Sequence, residues 1–206
     1  MVKRKGQQQK TSTRILSHHD IHEAALRIAS TEPWEFVTLA EIAEEAEAEL
    51  PDVTVFYPDK LSLLHDLVRS LDAVVLASFE ADSRSSCRDN LFDVLMERFD
   101  AMNADRAAHI SFLKSFAWNN REKFGDLRFY GDQISSYASI AGIDVAGLRG
   151  RLMVSGIAAG YLWVLFVWMQ DSTSDMGKTM KALDQMLGRL EWFGRYSGIL
   201  SDQDAA

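Results

Sequence analysis

Cysteine and proline are scarce in this sequence, and each shortage excludes a class of fold. A single cysteine, Cys87, occurs among the 206 residues, so an intramolecular disulfide is excluded and a reducing compartment is favoured. Only three prolines occur, and the Asp-Gly dipeptides typical of tight hairpins are absent. Because long stretches without such breakers favour helices, and 47% of the residues are hydrophobic, the sequence predicts an all-α protein with a substantial core.

Positive charge is also scarce, except at the N-terminus. The formal net charge is −8, and residues 1–14 carry five Lys or Arg and no acid, so the other residues sum to −13 (−8 minus +5). This polar, basic start lacks the apolar core of a secretory signal, and we expect a cytoplasmic protein. We predict a flexible basic arm over 1–13, where the positive charge of the chain is concentrated. We also predict a short tail over 201–206.

The sequence lacks a recognisable pattern for catalysis. There is no glycine-rich phosphate loop, no nucleophile elbow and no cysteine pair. His18 and His22 are four residues apart on a predicted helix, but no third ligand is near them in sequence, and we interpret them as exposed polar side chains. Cys87 lies near Arg84 and Arg88, and we interpret it as an unreactive linker thiol. We therefore expect no enzyme activity, no cofactor and no metal.

The N-terminal part of the chain has the signals of four successive helices. Apolar residues on one face predict a first helix over about 14–30. Thr38 and Glu41 form a capping-box pattern, in which each side chain bonds the backbone N–H of the other residue, and this predicts the start of a second helix. Pro51 and Pro58 suit the first positions of a third and a fourth helix, where the missing N–H costs nothing.

A polar break near 83–88 divides the chain into two units. The fourth helix is expected to continue to about 82 before this break. Apolar periodicity after the break predicts five more helices, near 89–102, 105–119, 126–141, from after Gly147 to Met169, and 174–196.

One of these predicted helices carries no charge over residues 152–170. Its nineteen residues are close to the ~20 that cross a bilayer. We interpret it as a buried helix of a soluble protein, because it stands alone, charged residues adjoin both ends, and the Met- and Leu-rich last helix can cover it. Two copies of this helix pair would form a four-helix dimer interface. The residues expected in that interface are Tyr161, Leu165, Trp168, Met169, Leu183, Met186, Leu187 and Leu190.

A run of about fifty residues in the first unit carries a recognisable motif. Its elements are Thr38 at the start of the second helix, the pair Ile42-Ala43, and Phe56-Tyr57-Pro58-Asp59-Lys60 followed by Leu63-Leu64. At this spacing, residues 21–64 resemble the DNA-binding domain of TetR-family transcriptional regulators. The resemblance implies a TetR-like fold, with a three-helix helix-turn-helix domain over 14–62 and a ligand-binding and dimerising helical bundle over 83–200.

The same resemblance implies that the third helix enters the major groove of DNA and that Lys60 contacts a phosphate. The basic arm would supply further positive charge in the minor groove. The residues predicted to contact DNA are Lys3, Arg4, Lys5, Thr38, Thr54, Phe56, Tyr57 and Lys60.

The predicted reading surface departs from that family in its charge. Glu47 stands where the family has glycine after the second helix, and Glu49-Leu50-Pro51-Asp52 replaces a start rich in small residues. Between residues 35 and 60 there are eight acids and one base, and this acidity opposes the neutralisation of phosphates that supplies most DNA affinity. The acids are Glu35, Glu41, Glu44, Glu45, Glu47, Glu49, Asp52 and Asp59.

A second resemblance gives an alternative interpretation. Residues 168–175, with Thr179 and Leu183, are similar to the C-terminal region of the accessory proteins of ubiquinone biosynthesis, and residues 88–96 are similar to bacterial members of that group. Those proteins share the TetR fold, bind lipid and have lost DNA binding. The alternative implies a lipid-binding accessory protein with a degenerate helix-turn-helix and a peripheral contact with the membrane.

Large apolar side chains are concentrated in the second unit, and helical bundles build ligand cavities from such residues. A plain packed core is the other interpretation of the same residues. The predicted pocket residues are Phe92, Met96, Phe99, Phe112, Phe116, Trp118 and Phe129. Together the observations predict a homodimeric regulator whose partners are a second copy, operator DNA and a hydrophobic small molecule or lipid.

Overall fold

The computed structural model describes residues 15–118 and 123–196, with side chains over 15–115 and 129–192. Within these ranges the regular structure is helical and no strand occurs, which confirms the all-α prediction. The helices are α1 (His18–Thr31), α2 (Leu39–Glu45), α3 (Leu50–Phe56), α4 (Lys60–Ser78), α5 (Cys87–Ala104), α6 (Arg106–Trp118), α7 (Lys123–Ile140), α8 (Gly147–Gln170) and α9 (Gly177–Tyr196).

Local hydrogen bonds explain where the early helices begin. Thr38 and Glu41 form the predicted capping box: the Glu41 N–H donates to Thr38 Oγ1 at 3.2 Å and the Thr38 N–H donates to Glu41 Oε2 at 2.7 Å. Pro51 lies in the first turn of α3, close to the predicted position. Asp59, rather than Pro58, caps α4, because its side chain accepts from the backbone of the first turn while Pro58 lies before the helix.

We call α1, α2, α3 and the first half of α4 the head. Its core gathers small and aliphatic side chains from all four helices, together with Ala108 and Phe112 of α6. The rings of Trp34 and Phe112 meet edge to face with centroids 4.8 Å apart, and the Trp34 N–H donates to Ser111 Oγ at 2.8 Å. Helix α6, which lies beyond the polar break in sequence, therefore fastens the head to the rest of the molecule.

We call α5–α9 the body. A second core lies between these helices and the end of α4, and its centre is formed by Phe99, Tyr137 and Trp168, all fully buried. Helices α8 and α9 pack closely: a Cβ at Gly160 would lie 2.5 Å from Cγ of Met186. Glycine at this position lets the two helices approach, so the small residues of α8 have a packing role inside the chain.

The turn between α8 and α9 is organised by Asp171. One carboxylate oxygen accepts from the N–H and hydroxyl of Thr179 at 2.8 Å each, and the other accepts from Thr173. These hydrogen bonds hold the pKa of Asp171 well below its ordinary value although burial acts in the opposite direction. The capping chemistry predicted for residues 171–175 is present, and it gives Asp171 and Thr179 a structural role within this chain.

Candidate functional site

Helices α2 and α3, with the turn between them, form the candidate DNA-reading surface. Val53 is fully buried and anchors α3 to the head, so the opposite side of this helix faces solvent. Thr54 is exposed, and its hydroxyl donates to the Pro51 carbonyl at 2.9 Å. Val55 is 84% exposed, although the sequence prediction did not include it. The helical period could have predicted this exposure, because positions 53 and 57 share the buried face of the helix and position 55 lies on the opposite face.

Tyr57 requires a correction to the predicted DNA contacts. Its ring is 3% exposed, and its hydroxyl donates to Asp66 Oδ2 at 2.6 Å. His18 Nδ1 and His22 Nε2 lie 2.6 and 2.9 Å from the same hydroxyl oxygen. Since a tyrosine hydroxyl has one hydrogen and here gives it to a carboxylate, both histidine nitrogens act as donors. Tyr57 therefore holds the end of α3 against α1 and α4 and is withdrawn from the reading surface.

The two histidines are also placed differently from the sequence interpretation. His22 is buried, not exposed, and burial lowers its pKa although nearby Asp66 acts in the opposite direction. His18 is exposed but shares the Tyr57 hydroxyl and packs edge to face on Phe56, with ring centroids 4.8 Å apart. Phe56 is partly buried by this contact.

Lys60 is engaged with the head's own backbone. Its ammonium donates to the carbonyl oxygens of Trp34, at 2.7 Å, and of Val37, and it lies 5.0 Å from the Trp34 ring centroid. These contacts fix the loop that leads into α2 and the Thr38 cap. The phosphate contact that the resemblance predicts for Lys60 would compete with these bonds.

The acidity of the head is exposed. All eight carboxylates between residues 35 and 60 face solvent. Glu45 is paired with Arg27 at 2.7 Å. Glu47 adopts a positive φ of 56° after α2, in the turn where the resemblance predicts glycine. The arm residues Lys3, Arg4 and Lys5, which would offset this charge, lie outside the described residues.

A small cavity lies where the head meets the body. Its volume is about 30 Å³. Side chains from α4, α5, α6, α7 and α8 enclose it, and they are Leu64, Val68, Leu71, Arg98, Met102, His109, Phe112, Leu113, Tyr130 and Leu165. Leu64 and Phe112 also belong to the core of the head, so the cavity adjoins both cores.

The residues predicted to line a pocket lie in several different places in the structure. Among its residues whose side chains are described, Phe112 alone lines this cavity. Phe99 is fully buried in the body core, Phe92 and Met96 pack against that core, and Phe129 stacks on His65 with ring centroids 4.1 Å apart. Phe116 and Trp118 have side chains outside the described set.

A buried ion pair adjoins the cavity. Arg98 Nε donates to Asp72 Oδ1 at 2.7 Å, and both side chains are buried. Tyr137 donates to the same oxygen at 2.9 Å, and Arg98 Nη1 is bonded to the Tyr161 hydroxyl. The other oxygen, Asp72 Oδ2, is buried without a hydrogen-bond partner in the described part of the chain. The pair joins α4, which comes from the head, to α5 of the body.

The predicted dimer interface also needs correction, because most of its residues lie inside one copy. Six of them are buried between α8, α9 and the body core: Tyr161, Leu165, Trp168, Leu183, Met186 and Leu187. Met169 and Leu190 are partly buried and pack against the same core. The apolar positions of α8 and α9 were identified from the helical period, but the face that was expected to contact a second copy packs inside the same copy.

Another face of α8 is open to solvent. We call Leu148, Leu152, Leu162, Trp163 and Phe166 the outer face of α8; each is at least 42% exposed. Met180 and Trp192 of α9 are exposed as well. Helix α8 is long and apolar enough to cross a membrane, and 28% of its most apolar window is buried in the chain. The predicted full burial of this helix is therefore not achieved within one copy.

Several solved structures share this fold. A TetR transcriptional regulator from Nitrosomonas europaea matches with a TM-score of 0.70 at 19% identity, covering 85% of this chain and 98% of that chain. A TetR transcriptional regulator from Rhodococcus sp. RHA1 matches with a TM-score of 0.62 at 17% identity, covering 82% and 94%. A TetR-family regulator from Streptomyces coelicolor matches with a TM-score of 0.60 at 15% identity, covering 87% and 82%.

These likenesses establish that the chain has the TetR-like fold, as predicted. No family model matches the sequence, and no curated protein matches it significantly. The similar structures give no support to the resemblance to ubiquinone-biosynthesis accessory proteins, or to a lipid as ligand.

Proposed function

We propose that this chain is a cytoplasmic, homodimeric transcriptional regulator whose two heads bind the half-sites of an operator. The observation that carries the proposal is the capped α2–turn–α3 unit, set on the helical body that this chain shares with solved regulators. A small molecule bound in the body would shift the population between dimers that fit DNA and dimers that do not. No enzyme activity is part of the proposal.

The surface proposed to read DNA is the exposed side of α3 together with the start of α2. Thr54 and Val55 present a hydroxyl and an apolar side chain to the groove, where contact with a thymine methyl group is the simplest apolar readout. Thr38 is exposed at the start of α2 and is part of the proposed surface. Lys60 and Tyr57 act indirectly, by fixing the loop before α2 and the end of α3. The arm, through Lys3, Arg4 and Lys5, supplies the positive charge that the head lacks.

The outer face of α8 is the proposed contact between two copies, and α9, which packs against α8, would complete it. Leaving this many large apolar side chains in water is unfavourable, and patches of this kind mark interaction surfaces. A second copy related by a two-fold axis would present the same face, which gives a four-helix interface built from α8 and α9 of each copy.

The proposal is tested by measuring binding of the purified full chain to the DNA upstream of its own gene, at 50 and 200 mM salt. We expect sequence-preferring binding that weakens at the higher salt, because counterions are released when phosphates are neutralised. A Val55→Ala change should lower affinity for this DNA, whereas Val74→Ala, at a 69% exposed position on α4, should not. Binding that is absent, or equal for unrelated DNA, would contradict the proposal.

The exposed acidity of the head favours a second candidate, in which the helix-turn-helix no longer binds DNA and the body carries a lipid. Mass spectrometry of the purified protein separates the two candidates. A retained isoprenoid or fatty chain, together with no DNA binding, would support the second. Salt-sensitive operator binding would support the first.

A further inference from the structure

The cavity between head and body contains a histidine whose protonation is fixed by its neighbours. His109 Nδ1 lies 3.0 Å from the carbonyl oxygen of Asp105. A carbonyl oxygen only accepts hydrogen bonds, so Nδ1 carries the hydrogen. Burial lowers the pKa of His109, and the positive charge of Arg98 lowers it further, so the ring is neutral at pH 7. In a neutral ring with hydrogen on Nδ1, the other nitrogen, Nε2, is an acceptor.

Arg98 supplies a donor to the same cavity. Its Nε is bonded to Asp72, and its Nη1 is bonded to the Tyr161 hydroxyl and to the thioether sulfur of Met102 at 3.2 Å. A thioether is a weak acceptor, and Met102 itself lines the cavity. An oxygen atom entering beside Met102 would be a better acceptor for this guanidinium.

The charge around the cavity selects against an ionised ligand. Asp72 already neutralises Arg98 at 2.7 Å. A carboxylate ligand would bring a second negative charge close to a pair in which Asp72 Oδ2 has no donor among the described residues. A cationic ligand would face the guanidinium of Arg98. A hydroxyl suits a cavity lined by the donor Arg98 and the acceptor His109, because it can both accept and donate a hydrogen bond and carries no net charge.

The rest of the cavity wall is apolar apart from the Tyr130 side chain, and the cavity is small. Leu64, Val68, Leu71, Leu113 and Leu165 form most of it. A volume of about 30 Å³ has room for roughly two water molecules, so a ring can enter only when side chains such as the flexible Met102 move. We propose that this cavity is the binding site of a small, neutral, hydroxyl-bearing aromatic or alicyclic molecule, whose hydroxyl accepts from Arg98 and donates to His109. The proposal rests on the proposed function, because it names the effector class of that regulator.

Two residues of the cavity wall connect a ligand in the cavity to the structure of the head. Leu64 and Phe112 line the cavity and are also buried in the head's core, where Phe112 packs on Trp34. The carbonyl of Trp34 is held by Lys60, beside the loop that enters α2. A ring that displaces Phe112 or Leu64 therefore changes the position of the head relative to the body. In the dimer, this couples ligand binding in the cavity to the distance between the two heads.

The experiment is a binding titration of the full chain with four matched probes. Binding is measured as the heat released on titration and as the shift in the unfolding temperature. The probes are 4-ethylphenol, ethylbenzene, 4-ethylbenzoate and 4-ethylbenzylamine, which share one ring and differ in the polar group. We expect 4-ethylphenol to bind about tenfold or more tightly than each of the other three, since only its hydroxyl matches both Arg98 and His109. Equal or tighter binding of the hydrocarbon, the anion or the cation would overturn the proposal.

Two variants locate the site. His109→Phe removes the acceptor and keeps the ring, so affinity for 4-ethylphenol should fall about tenfold while affinity for ethylbenzene stays the same. Leu113→Trp fills the cavity and should abolish binding of the phenol. His19→Phe, at an exposed position of α1, is the matched control and should bind as the unchanged chain does. Unaltered phenol binding by both cavity variants would place the ligand elsewhere and overturn the proposal.

Failure here is distinguishable from failure of the proposed function. Operator binding without selective phenol binding would reject the effector class and leave the regulator intact. Selective phenol binding without operator binding would reject the regulator and keep the site.

Discussion

The hydroxyl of Tyr57 donates a hydrogen bond to Oδ2 of Asp66 at 2.6 Å, and this bond joins the end of α3 to α4. His18 and His22 reach the same hydroxyl from α1, so three helices of the head meet at one oxygen. The orientation of α3 depends on this cluster, because α3 has seven residues and is too short to be stable alone.

Replacing Tyr57 with phenylalanine should therefore loosen the head without changing its volume. The variant leaves Asp66 and buried His22 short of one partner, and we expect the free energy of unfolding to fall by about 1–2 kcal/mol. Operator affinity should fall as well, since α3 loses its tether. Urea unfolding followed by circular dichroism gives the first quantity. His19→Gln, which removes an exposed contact to Glu23, is the control and should change stability little. A Tyr57→Phe protein as stable as the unchanged chain would show that packing alone holds α3.

Acid should destabilise the protein from neutral pH downward. The folded-state pKa values of His22 and His109 lie below their ordinary value, mainly because both side chains lose water on folding. A depressed histidine pKa means that the unfolded chain binds the proton first, so the stability from the neutral ring is full above about pH 6.5 and is lost as the pH falls. The pKa of Asp66 is lowered too, and its contribution is lost at still lower pH.

The measurement is the free energy of unfolding at pH 7, 6 and 5. We expect it to decrease over this range, and we expect His22→Gln and His109→Gln each to flatten the decrease. His19→Gln is again the control. Stability that rises on acidification, or slopes unchanged in both variants, would mean that these rings are not buried as neutral groups.

The parts of the fold that follow from short-range chemistry were predictable from the sequence. The capping box at Thr38 and the turn at Asp171 depend on side chains two to eight residues apart, so their pattern is visible in the sequence. Helix boundaries were less accurate. The fourth helix ends at Ser78 rather than near 82, and the last begins at Gly177 rather than 174, because Met176 takes a positive φ of 51° in the turn before it.

The sites were harder to predict because they depend on tertiary contacts. The residues that meet at Tyr57 come from 18, 22 and 66, and no local pattern relates them. Phe112 lies past the domain break in sequence, yet it completes the head's core. For α8, periodicity identified an apolar helix but could not say which face turns inward, since apolar residues occur on every side.

Dimer formation should depend on the outer face of α8 and not on the buried residues predicted from the sequence. Phe166→Glu places a charge on a side chain that is 61% exposed, so one copy should still fold while self-association is lost. Sedimentation velocity at micromolar concentration measures the change. Val74→Glu, at a 69% exposed position on α4, is the matched control and should leave the dimer intact. An unchanged chain that is already monomeric at this concentration would contradict the proposed interface.

Glu47 should be a position where a glycine improves both stability and DNA affinity. Its φ of 56° is unfavourable for a residue with a Cβ, and its carboxylate adds to the negative charge of the head. We expect Glu47→Gly to raise the free energy of unfolding by about 0.5–1 kcal/mol, through relief of backbone strain. Glu47→Gln removes the charge and keeps the strain, so it should improve operator binding without the gain in stability. Equal stability of the two variants would assign the effect to charge rather than to backbone.

The buried pair of Asp72 and Arg98 should be far more costly to break than to replace. Arg98→Met leaves a carboxylate in the body core without its counter-charge, and we expect the free energy of unfolding to fall by about 3–5 kcal/mol. Asp72→Asn together with Arg98→Met removes both charges and keeps an oxygen that can accept from Tyr137, so the double variant should be more stable than Arg98→Met alone. Chemical denaturation of the three proteins measures this order. If the double variant is much less stable than the unchanged chain, the attraction between the two charges outweighs the cost of burying them. The pair would then be a net source of stability at the joint between head and body, and not a polar site retained at a cost beside the cavity.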